Sequence, residues 1–124
     1  MKVHLFGKKS EMGATAAVRA AQLINEAIQG HGEANIILAT GASQFEMLSS
    51  LISEPVDWSK VSAFHLDEYI GLPSSHPASF RNYLKKRFVD HVPNLRAFYG
   101  VNGESPDTVK ECYRLSKIIG AVRI

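Results

Sequence analysis

An apolar run, Asn35-Ile36-Ile37-Leu38-Ala39, lies between glycines at positions 30 and 32 and a glycine at position 41. It is too short for a helix and lacks polar alternation. This is the signature of a strand covered on both faces, as in a parallel sheet packed under helices. The flanks support that reading. From Ser10 to Ile28, the residues Ala14, Ala17, Val18, Ala21, Ile24 and Ile28 recur at helical steps and make one stripe. Ser10 is placed to cap that helix, and Gly30 and Gly32 to stop it. After the run, Thr40-Gly41-Ala42-Ser43 reads as a turn and Gln44–Ile52 as a helix burying Phe45, Leu48, Leu51 and Ile52.

The alternation continues. Lys2–Phe6 is expected to be a first strand and Val61–Leu66 a third. An irregular loop from Asp67 to Pro77 follows, then a helix over Ala78–Val92. Phe80, Tyr83, Leu84 and Phe88 lie on that helix's apolar side. Arg81, Lys85, Lys86 and Arg87 lie mostly on its wet side. Leu95–Tyr99 is a short strand and Pro106–Ile119 a last helix with proline in its first turn. Strands alternating with helices demand right-handed crossovers. The expected fold is α/β, a three-layer αβα arrangement on a Rossmann-like, mostly parallel sheet. The ending Gly120–Ile124 reads as the start of another strand, so the domain is expected to be incomplete.

Composition narrows the function. Fourteen basic against twelve acidic residues leave a net charge of +2, too small an excess to point to nucleic acid or an anionic membrane. No apolar run approaches a bilayer's span, and Met1–Gly7 lacks the core of a signal peptide. The single cysteine, Cys112, excludes an internal disulfide or a Cys-based zinc site and reads as helix filler. A cytoplasmic location follows as an expectation. His4, His31 and His91 show no metal-ligand spacing, and Trp58 is expected to pack where the chain enters a strand.

Two strand ends carry chemistry, because ligands of parallel α/β sheets gather beyond the carboxyl ends of the strands. In Thr40-Gly41-Ala42-Ser43, a glycine turn exposes backbone N–H groups at a helix start, and two hydroxyls stand beside them. Both features favour a phosphate. The alternative is a tight turn with Ser43 as a helix cap. In Asp67-Glu68-Tyr69, neighbouring carboxylates diverge on an extended backbone. Asp67 is then free to act as a base while Glu68 or Tyr69 holds the loop; the alternative is a solvated acidic loop. His65 reads as a packed imidazole, and His76 either lines the cleft or stabilises the loop.

Together, Leu38–Ser43 and Phe64-His65-Leu66-Asp67-Glu68-Tyr69-Ile70-Gly71-Leu72-Pro73 resemble the glucosamine-6-phosphate deaminase/isomerase family. The likeness continues through Ser74–Phe80, Ser105-Pro106-Asp107 and Glu111-Cys112-Tyr113. The related 6-phosphogluconolactonases typically carry arginine where Tyr69 stands. The resemblance implies conversion of glucosamine 6-phosphate, or a close isomer, to a ketose 6-phosphate and ammonia, with no metal or other cofactor. By position it makes Asp67 the proton-transfer base. It places Thr40, Gly41, Ala42, Ser43, Glu68, Tyr69 and His76 about the phosphorylated amino sugar. It also implies a homo-oligomer.

Three departures stand out. Gly41-Ala42-Ser43-Gln44 replaces the family's usual Gly-Ser/Thr-Thr/Ser-Pro, and His65 stands where asparagine is common. The family's later Gly-rich loop with its ring-opening histidine has no counterpart before Ile124. Residues 1–124 are therefore expected to be the N-terminal part of a sugar-phosphate isomerase/deaminase domain, inactive in isolation. The competing readings are a non-catalytic sugar-phosphate-binding module and a truncated paralogue with a structural role.

Overall fold

The structure, a computed structural model, describes residues 2–124. Helix α1 (Lys9–His31) leads into strand β1 (Ala34–Leu38), helix α2 (Phe45–Leu51) and strand β2 (Val61–His65). Helix α3 (Phe80–Arg87), strand β3 (Ala97–Tyr99) and helix α4 (Thr108–Gly120) follow. The strands form one parallel sheet in the order β1-β2-β3, with Ala34 opposite Val61, Leu38 opposite His65 and Phe64 opposite Tyr99.

That register sorts the sheet's side chains, because alternate residues face opposite ways. Ala34, Leu38, Val61 and Ala63 share one face with Phe98, and they join Ala17, Ala21, Ile24, Leu48, Leu51, Leu84 and Phe88 in the main core. Helices α1, α2 and α3 cover this face. The other face carries Asn35, Ile37, Ser62 and Phe64, with Phe64 stacked on Tyr99 at 4.8 Å between ring centres. Helix α4 starts beside β3. The residues after it reach β1, where Asn35 Nδ2 donates to the Arg123 carbonyl at 3.0 Å. The chain thus crosses the second face, completing the expected αβα layering around the buried β2.

Several expectations are corrected. Lys2–Phe6 forms no strand: it pairs with neither edge of the sheet and lies instead along α1 near Met12, Thr15 and Val18. Helix α1 begins one residue earlier, after Lys8, so Ser10 is inside the helix and caps nothing; Gly32, at φ +80°, does end it. Its buried stripe runs through Gly13, Ala17, Ala21 and Ile24, leaving Ala14 and Val18 exposed. Gly13 is required there, since a Cβ would stand 2.5 Å from the Glu46 Cβ and 2.8 Å from its carbonyl carbon. β1 lies at the edge of the sheet; Ala34 and Leu38 are buried on one face and Asn35 on the other, but Ile37 remains 40% exposed.

The expected helix from Ala78 to Val92 splits. Ser79 caps α3 by accepting from the Asn82 N–H, and the backbone leaves helical geometry at Phe88 before a 3₁₀ turn over Val89–His91. Arg81 leaves the wet side, pairing with Glu104 at 2.7 Å. Helix α4 starts at Thr108 under an Asp107 cap, not at Pro106. Cys112 is exposed rather than packed. Trp58 packs edge-on against Phe88 in the turn that enters β2.

Candidate active site

The glycine turn and the acidic loop both leave the carboxyl edge of the sheet. Leu38 and His65 are paired at the ends of adjacent parallel strands, and the Leu66 N–H donates to the Leu38 carbonyl at 3.2 Å. Thr40 and Asp67 each lie two residues beyond that pair. Neighbouring strands are about 5 Å apart, so the glycine turn and the acidic loop emerge side by side.

At the turn, Gly41 adopts φ +120°, a conformation that excludes most side chains. A 3₁₀ turn, Ala42–Gln44, then feeds α2. Ser43 caps nothing: the capping position is Gly41, whose carbonyl accepts from the Gln44 N–H. The amides of Ala42 and Ser43 meet no protein acceptor among the described residues. Both side chains are exposed, and Thr40 is half-buried. The turn is held from behind by Tyr83, whose hydroxyl donates to the Gly41 carbonyl at 2.8 Å. Burial raises the Tyr83 pKa, against an opposing pull from Arg87, so the phenol stays a donor.

The two carboxylates of the acidic loop have different surroundings. Asp67 is exposed and has no hydrogen-bond partner in the protein among the described residues. Glu68 turns inward. Its Oε1 accepts from the Tyr69 and Phe80 N–H groups, both at 3.0 Å. Its Oε2 accepts from the Ser79 hydroxyl at 2.7 Å and the Arg81 N–H at 2.8 Å. Burial pushes the Glu68 pKa up, but these hydrogen bonds outweigh it and hold the carboxyl below its ordinary value. Phe80 and Arg81 are the first residues of α3, so Glu68 is an anion seated at a helix N-terminus. All its acceptor capacity toward the protein is used in fixing the residue next to Asp67.

A second brace comes from the β3–α4 connection. The Gly71 N–H donates to the Gly103 carbonyl at 2.7 Å, and a Cβ on Gly103 would fall 2.3 Å from the Tyr69 carbonyl oxygen. Glu111 holds that connection, accepting from the Asn102 N–H at 2.8 Å and from Arg114 at 2.7 and 2.8 Å. Arg114 also donates to the Gly100 carbonyl. The Arg114 bonds, against a burial penalty, bring the Glu111 carboxyl down to about 2.

His65 is packed, stacking near Phe98 and taking the Val101 N–H on Nδ1. Burial lowers its pKa, although the charges of Glu68 and Asp67 oppose this. His76 is exposed, and its Nδ1 accepts from the Ala78 N–H within its own loop. Tyr69 is exposed, its ring tilted against Phe80. Sequence reasoning assigned no role to Tyr83 and Gly103, and had Ser79 only within a motif. Tyr83 sits on an apolar helical stripe, and nothing local announces that its hydroxyl meets a carbonyl 42 residues away. No group of three or more His, Cys, Asp or Glu is placed to hold a metal among the described residues. No helix among them is long and apolar enough to cross a membrane.

The fold and this edge define a class: a Rossmann-like αβα domain with a glycine turn and an acidic loop at adjacent strand ends. The profile of Glucosamine-6-phosphate isomerases/6-phosphogluconolactonase matches residues 7–122, and the chain belongs to that family. A glucosamine-6-phosphate deaminase from Bacillus pumilus is 32% identical over 96% of this chain and 50% of its own length. The corresponding Lactobacillus delbrueckii protein is 29% identical over 96% of this chain and 48% of its own length. The chain thus spans about half the length of the curated relatives it matches. Among solved structures, a monomeric glucosamine-6-phosphate deaminase superposes with a TM-score of 0.83 at 28% identity, covering 98% of this chain and 51% of the other. A Shewanella baltica 6-phosphogluconolactonase has a TM-score of 0.82 at 17% identity, over 95% of this chain and 50% of the other, and shows the shared fold alone.

Proposed function

We propose that this chain supplies the phosphate-holding turn and the proton-transfer carboxylate of an amino-sugar-phosphate deaminase/isomerase. The observation that carries this reading is the emergence of the Gly41 turn and Asp67 from adjacent parallel strands at one register. The substrates are glucosamine 6-phosphate, or a close isomer, and one water, and the products are a ketose 6-phosphate and ammonia. The Ala42 and Ser43 N–H groups and the Thr40 and Ser43 hydroxyls receive the phosphate. Binding energy from that remote group positions the sugar carbon to be deprotonated. Asp67 takes the proton from C2 and returns it to C1 through an enediol or enolamine. Its lack of a protein partner keeps it available as an acceptor.

Glu68 positions Asp67 rather than touching the sugar, since its oxygens already serve four donors. His76 likewise braces the loop, and Tyr69 lines the open side. Tyr69 in place of arginine, with 28% identity to a solved deaminase, favours the amino-sugar branch over the lactonases. No cofactor is assigned. The solved deaminase is described as monomeric, and homo-oligomerisation of this protein remains part of the proposal.

The test is deuterium incorporation from solvent at C2 of glucosamine 6-phosphate by the protein that carries this chain. Asp67→Asn should abolish exchange, a loss of at least about 100-fold for a general base, while glucosamine 6-phosphate still binds. Unchanged exchange in Asp67→Asn would remove the assigned role.

A further inference from the structure

We propose a second anion site, distinct from the Gly41 turn, in the cleft between α2 and α3, taking a small phosphorylated molecule. The cleft encloses about 590 Å³, within the range of small-ligand sites. Phe45 and Ser49 of α2 form one wall. Tyr83, Lys86 and Arg87 of α3 form the other, and His91 closes one end. Its charge is one-sided. Lys85, the neighbour outside the cleft, pairs with Asp90 at 2.5 Å. Lys86 and Arg87 have no ion pair among the described residues. The cleft's lining holds no carboxylate; Glu46 shares the adjoining groove with Arg87, and its charge acts on Tyr83.

Arg87 is also preorganised. Its guanidinium lies 3.7 Å from the centre of the Phe45 ring and 5.4 Å from that of Tyr83, and these rings stack on each other at 5.6 Å. A guanidinium held against an aromatic ring loses less freedom when it binds a ligand, and its fork of donors suits phosphate oxygens. Lys86 adds a second permanent charge, so the pair matches a dianion. The Ser49 hydroxyl supplies a neutral donor. This site does not depend on the catalytic reading.

The experiment is a titration of the ¹⁵N-labelled chain with inorganic phosphate, ionic strength being held constant with sodium chloride. Saturable shifts are expected at Lys86, Arg87 and His91. The double variant Lys86→Ala/Arg87→Ala should weaken this binding by about tenfold or more, while Ser43→Ala leaves it unchanged. Both changes fall on exposed side chains, and the spectrum itself reports whether the variant is folded. Shifts confined to residues 41–43, unsaturated shifts that chloride reproduces, or equal binding by the double variant would each overturn the proposal.

Discussion

Replacing Glu68 with glutamine tests whether the acidic loop is held by one inward carboxylate. The amide oxygen of glutamine can keep two of the four donors. The amide nitrogen then faces the other two, and the Arg81 N–H has no replacement acceptor. Hydrogen bonds to a charged group contribute about 1.5–3 kcal/mol each, and the helix dipole adds roughly 0.3–1 kcal/mol. The Ser79 hydroxyl recovers part of this by turning to another acceptor. A net loss of about 2–4 kcal/mol is expected, a large share of the roughly 6–18 kcal/mol available to a chain of this size. Urea unfolding at pH 7, followed by far-ultraviolet circular dichroism, measures it. The folded carboxyl titrates below its unfolded value, so its contribution is present above the ordinary glutamate pKa and fades as pH falls through the lowered one. The difference between parent and variant should therefore shrink in acid. A loss under about 0.5 kcal/mol at pH 7, or one that does not change with pH, would refute the clamp.

Two further changes probe the second brace. Gly103→Ala should cost about 1–3 kcal/mol and displace the Tyr69–Gly71 backbone, seen as amide shifts there, because its Cβ meets the Tyr69 carbonyl. Glu111→Gln should remove about 2 kcal/mol at neutral pH. That stability is complete above the ordinary glutamate pKa and is lost as pH falls toward about 2, so acid unfolding of parent and variant should converge over that window.

The order of elements was legible because hydrophobic period changes sharply between α1 and β1 and again between α2 and β2. The turn at Gly41 and the exposed Asp67 were legible for a related reason: strand ends in a parallel sheet are few, and charged residues there are conspicuous. The different surroundings of Asp67 and Glu68 were only half legible. Divergence on an extended backbone separates the two side chains, but which turns inward depends on Ser79, Phe80 and Arg81, more than ten residues on. Gly103 was silent for the same reason, since its constraint is contact with a distant carbonyl. Lys2–Phe6 misled because composition marks a segment able to form a strand, while a strand also needs a partner.

The most direct test of the proposed sugar-phosphate site is a heteronuclear titration of the chain with glucosamine 6-phosphate. One saturating ligand should move the amides of residues 41–43 and 67–69 together, with the same apparent Kd. Movement of either set without the other, or two unequal affinities, would contradict the account.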